Sequence, residues 1–323
     1  MGVLFLNSMP AQPVDVLKSR PDPQGTATKV NVSLYIIDVE SINNLKQSFT
    51  IDFVMTLWWI DPRVAENSPR LTLGEIWHPD AQIYNIRDAK KRLDDVVNIL
   101  PNDTILYTQR YFGTFSAFLD FQAFPFDQQI LPITLLSFTY GPEAVEFVFE
   151  SAWLEERFSI AGWTVKSRET RVSAFNISAA QGAKYDTKLS RLNYTMHARR
   201  HLDYYWWKVV APLVLIVFLS WAVFYIDPSQ VGPQVGVSAT SILTLIAFLL
   251  RLESIIPPVS YLTHMDYFVY SVLTLVFLAY LEALVSTTYA LKGKIEFAKK
   301  VDHWSRYVFP TGFAIIMGYF WII

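Results

Sequence analysis

From Gly236 to Pro258 the chain reads GVSATSILTLIAFLLRLESIIPP. The segment is apolar enough to cross a bilayer, yet it carries hydroxyls at Ser238, Thr240, Ser241 and Thr244. On a helix turning roughly 100° per residue, Gly236, Thr240, Leu243, Ala247, Leu250 and Ser254 share one arc of about 80°. Ile242, Leu245, Leu249 and Leu252 take the opposite side. The stripe is small or hydroxylated at its start, apolar in the middle and polar again at its far end. Small residues at such spacing also suit plain helix–helix packing. Two features favour water. The stripe runs the whole depth of a membrane, and Arg251 and Glu253 stand at its outer end, where near-membrane charges mark a water path. In that setting Thr240 offers oxygen to a partly dehydrated ion, and rings of Leu243 and Leu250 close a channel by dewetting. One helix cannot surround a pore, so the stripe requires an oligomer of closed cyclic symmetry.

Other chemistry finds little footing. There is no Gly-rich phosphate loop, no HExxH and no cysteine at all. His78, His197, His201, His264 and His303 are scattered, although histidine titrates near neutrality and can sense protons. An enzyme is not expected, nor a cofactor or metal. A net charge of −2 argues against a nucleic-acid partner.

The chain divides by composition. Residues 1–202 hold 42 of the Asp, Glu, Lys and Arg side chains, and residues 203–323 hold 14. The second part contains four apolar stretches, 204–226, 235–256, 267–291 and 304–323, each near the ~20 residues that span a bilayer. The linker KGKIEFAKKVD between the last two carries four lysines, Lys292, Lys294, Lys299 and Lys300. The positive-inside rule puts it on the cytoplasmic side and the 29–202 region on the other. Residues 29–202 alternate apolar and polar side chains in short runs such as KVNVSLYIIDV and SFTIDFVMTLWWID. Such runs, without helical periods between them, predict an antiparallel, immunoglobulin-like β-sandwich. Residues 1–28 read as a flexible lead-in: they have a brief apolar run but lack a signal peptide's basic start.

Several short motifs then fall in a telling order: WIDPR from Trp59, WHPD from Trp77, FPFD over Phe124, Pro125, Phe126 and Asp127, and Arg199-Arg200 just before the first helix. The stripe helix ends at Pro257, with Tyr261 four residues on. This arrangement, over residues 29–323, resembles the pentameric ligand-gated ion channels of the Cys-loop receptor superfamily, its prokaryotic members above all, because the last linker is so short. The resemblance implies an extracellular sandwich of about ten strands, four membrane helices and a homopentamer around a central pore. It implies a bacterial inner membrane, the sandwich on the periplasmic side, and lipid, monovalent ions and a small-molecule agonist or protons as partners. The superfamily's loop cysteines fall at Ala117 and Leu131 here, so packing of Phe124, Phe126 and Phe138 is expected to hold the loop instead.

The same resemblance puts Leu243 at the central gate and pairs Asp127 with Arg200 at the domain interface, with Asn44 where relatives often have an acid. An intersubunit ligand box is implied at Tyr84, Phe138, Tyr140 and Tyr185. Cations are the expected permeant species and anions the alternative. A membrane-anchored adhesion protein that does not conduct is the competing class.

Overall fold

The computed structural model describes residues 17–22, 25–64, 71–177, 187–253 and 259–322. Eleven strands form among the described residues: β1 (Thr28–Asn43), β2 (Ser48–Ile60), β3 (Leu71–Thr72), β4 (Ala81–Ile83), β5 (Ile86–Lys91), β6 (Val96–Leu100), β7 (Thr104–Ser116), β8 (Gln128–Ser137), β9 (Val145–Leu154), β10 (Trp163–Ile177) and β11 (Thr187–Arg200). One sheet runs β3-β6-β7-β2-β1-β9 with β5 paired to β7, and the other runs β10-β11-β8-β4. All pairings are antiparallel except β1 with β9, which is parallel.

Alternation decides which face is inside. Phe49, Ile51, Phe53, Met55, Leu57 and Trp59 of β2 are all buried, each second residue turning inward. Leu131, Ile133 and Leu135 of β8 and Leu192, Tyr194, Met196 and Ala198 of β11 answer them from the second sheet. Facing apolar surfaces of two sheets make one core. The end of the lead-in is tied down rather than loose. Trp77 N–H donates to Leu17 C=O at 2.6 Å, and Arg63 donates to Ser19 C=O at 2.7 Å.

Four helices follow: α1 (Asp203–Tyr225), α2 (Val231–Glu253), α3 (His264–Leu291) and α4 (Ile295–Ile322). The turns of α1 widen to π geometry over Trp206–Val210, just before Pro212. Proline lacks an N–H and crowds the carbonyl four residues back, which a widened turn relieves. The first three helices are long and apolar enough to cross a membrane. α4 has the length but begins with Glu296, Lys299, Lys300, Asp302 and Arg306.

The last linker is far shorter than expected. Only Lys292, Gly293 and Lys294 separate α3 from α4, and Lys299 and Lys300 lie inside α4. Gly293 takes φ +78°, donating to Ala290 C=O at 2.9 Å while Lys294 N–H donates to Tyr289 C=O at 2.9 Å. This glycine-closed helix end lets the next helix start at once.

Phe53 lies 5.6 Å from Tyr111 and 5.7 Å from Phe115 in the sandwich core. Phe53→Ala should cost about 3–5 kcal/mol, read as a lowered melting midpoint of the full-length protein. Leu45→Ala, at an exposed position, should stay within about 0.5 kcal/mol. Equal effects from the two would refute this account of the core.

Candidate functional site

The inward alternation of two strands ends on charge. In β11 it runs Tyr194, Met196, Ala198 and then Arg200. Leading into and along β8 it runs Asp127, Gln129, Leu131. β8 and β11 are paired, so both ends reach the same corner of the sandwich. There Arg200 Nε donates to Asp127 Oδ1 at 2.8 Å and Arg200 Nη2 to Asp127 Oδ2 at 2.9 Å. Their side chains are only 4% and 2% exposed, so this forked pair has left water altogether. The third nitrogen and the plane of the guanidinium are also engaged. Arg200 Nη1 donates to Tyr205 Oη of α1 at 3.0 Å, and the Gln129 amide donates to Asp127 Oδ2. The guanidinium lies over Trp163 at 4.1 Å, with Phe124 at 5.0 Å and Tyr205 at 5.6 Å.

Gln129 also clips the loop between β7 and β8. Its Oε1 accepts from Asp120 N–H at 3.0 Å and its Nε2 donates to Asp120 C=O at 2.7 Å. Gln47 supports the same loop, its Oε1 accepting from Leu119 N–H at 2.8 Å. Phe121 and Phe124 are wholly buried, and the Phe124–Pro125 bond is cis. Ala117 and Leu131 are both buried. Phe138 has no part in holding the loop, contrary to expectation. It follows the far end of β8, ten residues from the loop, and is 44% exposed.

This loop rests on the ends of two helices. His264 N–H donates to Gln122 C=O and Met265 N–H to Phe124 C=O, each at 2.9 Å. These are first-turn donors of α3, which have no partner within their own helix. Thr263 and Asp266 complete the turn with a reciprocal capping box. Tyr261 Oη accepts from Phe121 N–H at 3.1 Å. Phe126 packs edge-on against His264, Phe320 and Trp321, which brings in the end of α4. His264 Nε2 stands 3.1 Å from Phe320 C=O, and since a carbonyl only accepts, the imidazole is the donor.

Of the other expected joint residues, Asn44 is half-buried between β1 and β2, with no hydrogen-bond partner at its Oδ1. Pro257 lies outside the described residues. Gln129, Trp163 and Tyr205 were not anticipated. The signal for Gln129 was in the chain: a polar residue at an inward position of an otherwise apolar alternation.

On α2, Gly236, Thr240, Leu243, Ala247 and Leu250 are all exposed, Leu243 at 69% and Leu250 at 66%. They occupy the middle of an exposed arc of roughly 160°, flanked by Ala239 and Ile246 on one side and Thr244 and Arg251 on the other. Gln234, Ser238, Ser241, Leu245 and Leu252 are buried on the reverse. Thr287 Oγ1 of α3 donates to Gln234 Oε1 at 2.5 Å. Thr240 Oγ1 donates to Gly236 C=O and Thr244 Oγ1 to Thr240 C=O, each at 2.8 Å. Their lone pairs therefore stay free on the exposed face. Ser254 lies outside the described residues, and Glu253 ends α2.

The described ligand aromatics, Tyr84, Phe138 and Tyr140, each have separate surroundings within one protomer. Tyr84 is exposed and packs 5.6 Å from Phe175 of β10. Tyr140 is half-buried, its Oη accepting from Trp77 Nε1 at 3.0 Å. Phe138 N–H donates to Asp80 C=O at 3.2 Å, and Tyr185 lies outside the described residues. A cavity of about 320 Å³ lies beside Tyr140, walled by Trp77, His78, Asp80 and Thr139. Burial holds His78 below the ordinary histidine range, against the pull of the Asp80 carboxylate. Among the described residues no group of three or more His, Cys, Asp or Glu could hold a metal.

Comparison with known proteins decides the family. The ligand-binding domain model of the neurotransmitter-gated ion channels matches residues 17–202, and their transmembrane-region model matches 209–309. The chain belongs to the neurotransmitter-gated ion-channel family. It is 24% identical to a proton-gated ion channel of Gloeobacter violaceus, over 98% of this chain and 88% of that protein. It is 24% identical to a chicken gamma-aminobutyric acid receptor beta-4 subunit, over 90% of this chain and 61% of that one. It is 26% identical to the human rho-2 subunit, over 81% and 59%. The chain thus spans about three fifths of the receptor subunits' length. The family is one of ligand-gated channels and not of enzymes, and three apolar helices make this member an integral membrane protein.

Asp127→Asn and Arg200→Gln should each destabilise the protein by about 3–5 kcal/mol, because each leaves a buried polar or charged group without its partner. The double variant should melt no lower than the worse single, as for a pair acting as a unit. Additive losses in calorimetry would show that the two do not interact.

Proposed function

We propose that the chain assembles as a homopentameric ion channel, opened by protons or a small-molecule agonist at its β-sandwich and closed by leucine rings on α2. The carrying observation is the exposed stripe of α2. A protomer that turns Leu243 and Leu250 to solvent beside free hydroxyl oxygens at Thr240 and Thr244 has a surface suited to a ring of like helices. In such a ring, Leu243 sits midway along the stripe and excludes water from the narrowest part.

The joint supplies the transmission. One loop is bonded to the start of α3, stacked on the end of α4 and joined through Arg200 to the start of α1. In this reading a shift of the sandwich reaches three of the four helices through that loop. Ligand entry is read at the Asp80–Phe138–Tyr140 corner, with Tyr84 and Tyr185 as the further aromatics of the site. The Gloeobacter relative, named as proton-gated, favours protons as one agonist, and the receptor relatives favour a small amino compound as the other.

Cations are the permeant ions in this reading. Between Tyr225 and Leu250 the only charged residue is Asp227. It is exposed, and the Ser229 hydroxyl and N–H hold its carboxyl below the usual carboxylate range. Back-bonded threonines likewise present oxygen rather than hydrogen to the exposed face. The membrane is read as a bacterial inner membrane with the sandwich in the periplasm, since the short α3–α4 turn and its helical continuation carry the lysines.

Leu243→Ser should raise resting current at equal surface expression, because a hydroxyl ring wets the constriction. Reversal potentials under a salt gradient read selectivity in the same recordings. An unchanged leak would count against Leu243 as the gate, and the absence of any current from the purified protein in bilayers would overturn the channel reading in favour of a binding protein.

A further inference from the structure

We propose that Glu282 of α3 and Asp302 of α4 share one bound proton, which fastens the two helices near their lysine-rich ends. Asp302 is 2% exposed. Ser305, three residues on from Asp302 in α4, donates its Oγ to Glu282 Oε1 at 3.0 Å, so the two carboxyl groups sit on the same α3–α4 contact. Glu282 Oε2 and Asp302 Oδ1 are both buried without any hydrogen-bond partner. Two neighbouring carboxyl groups, each with a buried oxygen that no N–H or O–H reaches, call for a proton between them. With the proton present, one carboxyl donates to the other and both orphan oxygens are satisfied.

Among the described residues no cation is ion-paired or hydrogen-bonded to either carboxyl group. From α3, Ser286 brings a neutral hydroxyl toward Asp302. From α4, Ser305 Oγ donates to Glu282 Oε1 at 3.0 Å. Arg306 is close enough to act on Asp302, but no hydrogen bond or ion pair joins them, and two of its nitrogens are turned to a backbone carbonyl. Its Nε and Nη2 donate to Phe224 C=O at 3.0 and 2.8 Å, and its guanidinium lies 4.5 Å from the Tyr225 ring. From the α1–α2 connection, Asp227 adds a further negative charge, and the field of Lys299 falls on Asp227. His303 turns to the Tyr307 ring, 5.5 Å away. A metal ion finds no third carboxylate or imidazole among the described residues. Two carboxylates set against each other, Asp302 buried and Glu282 half-buried, do not both ionise, and a single proton resolves the conflict.

The proton matters because of what it joins. α3 and α4 are linked by only three residues at this end. At the other end they are held by His264 against Phe320. Release of the proton would set two negative charges side by side and drive the helices apart near Glu282, with Arg306 passing the strain to α1. This inference concerns proton occupancy alone and stands apart from ion conduction.

The test is infrared difference spectroscopy of the full-length protein in detergent, acid against alkaline, for wild type, Glu282→Gln, Asp302→Asn and Asp227→Asn. The wild type should show a protonated-carboxyl C=O band at neutral pH that shifts slowly in heavy water. That band should vanish in Glu282→Gln and in Asp302→Asn and persist in Asp227→Asn. Absence of the band from the wild type at neutral pH overturns the proposal whatever the variants do. So does a band that survives in both pair variants, and loss in only one would place the proton on that residue alone and overturn sharing.

Discussion

A guanidinium is costly to take out of water unless its nitrogens find acceptors, and Arg200 sits where two kinds of architecture must join. Its fork takes Asp127, its third nitrogen takes Tyr205, and its plane rests on Trp163. Those partners come from the start of β8, the start of α1 and the start of β10. Satisfying one side chain therefore fixes the position of three chain segments at once. A buried pair contributes little net stability over an apolar replacement, and its worth lies in the single geometry it permits.

The loop before Asp127 inherits that geometry and passes it on. Its carbonyls have to go somewhere, and the start of α3 has N–H groups that its own helix cannot use. Gln122 and Phe124 C=O meet His264 and Met265 N–H, so two liabilities cancel across the domain boundary. The same loop closes without a disulfide because Gln129 both donates to and accepts from the backbone of Asp120. An amide clip of this kind holds a loop as part of the folded sandwich, whereas a disulfide would also hold it in the unfolded chain.

Much of this was legible in the chain. Period-two alternation announced the sandwich, and the helical stripe announced the exposed face of α2, because both patterns depend only on local geometry. Asp127 and Arg200 were identified by motif and met as an ion pair. The local surroundings of the ligand aromatics were not legible. Tyr84, Phe138 and Tyr140 lie on loops whose paths are set by distant partners such as Asp80 and Trp77, and no local period encodes them. The α3–α4 linker was misjudged for a different reason. Lysines read as loop on composition, but with Gly293 closing α3 the helix simply resumes, and Lys299 and Lys300 become helical.

The half-buried Glu282 of α3 and the buried Asp302 of α4 show why polar residues in apolar helices carry more information than their number suggests. Glu282 and Asp302 are two of only 14 charged side chains after residue 202. Each would be costly alone, and like charges in contact would be worse. Serine at 286 and 305 supplies only neutral hydroxyls, and Arg306, a cation near them, turns two of its nitrogens to a backbone carbonyl at the end of α1. A cluster that keeps its cation engaged elsewhere depends on a proton in place of a countercharge. The joint around Arg200 solves the opposite problem with a full set of partners, and the contrast defines the two ends of the bundle. One end is fixed by complete satisfaction, and the other is left to an equilibrium with the proton.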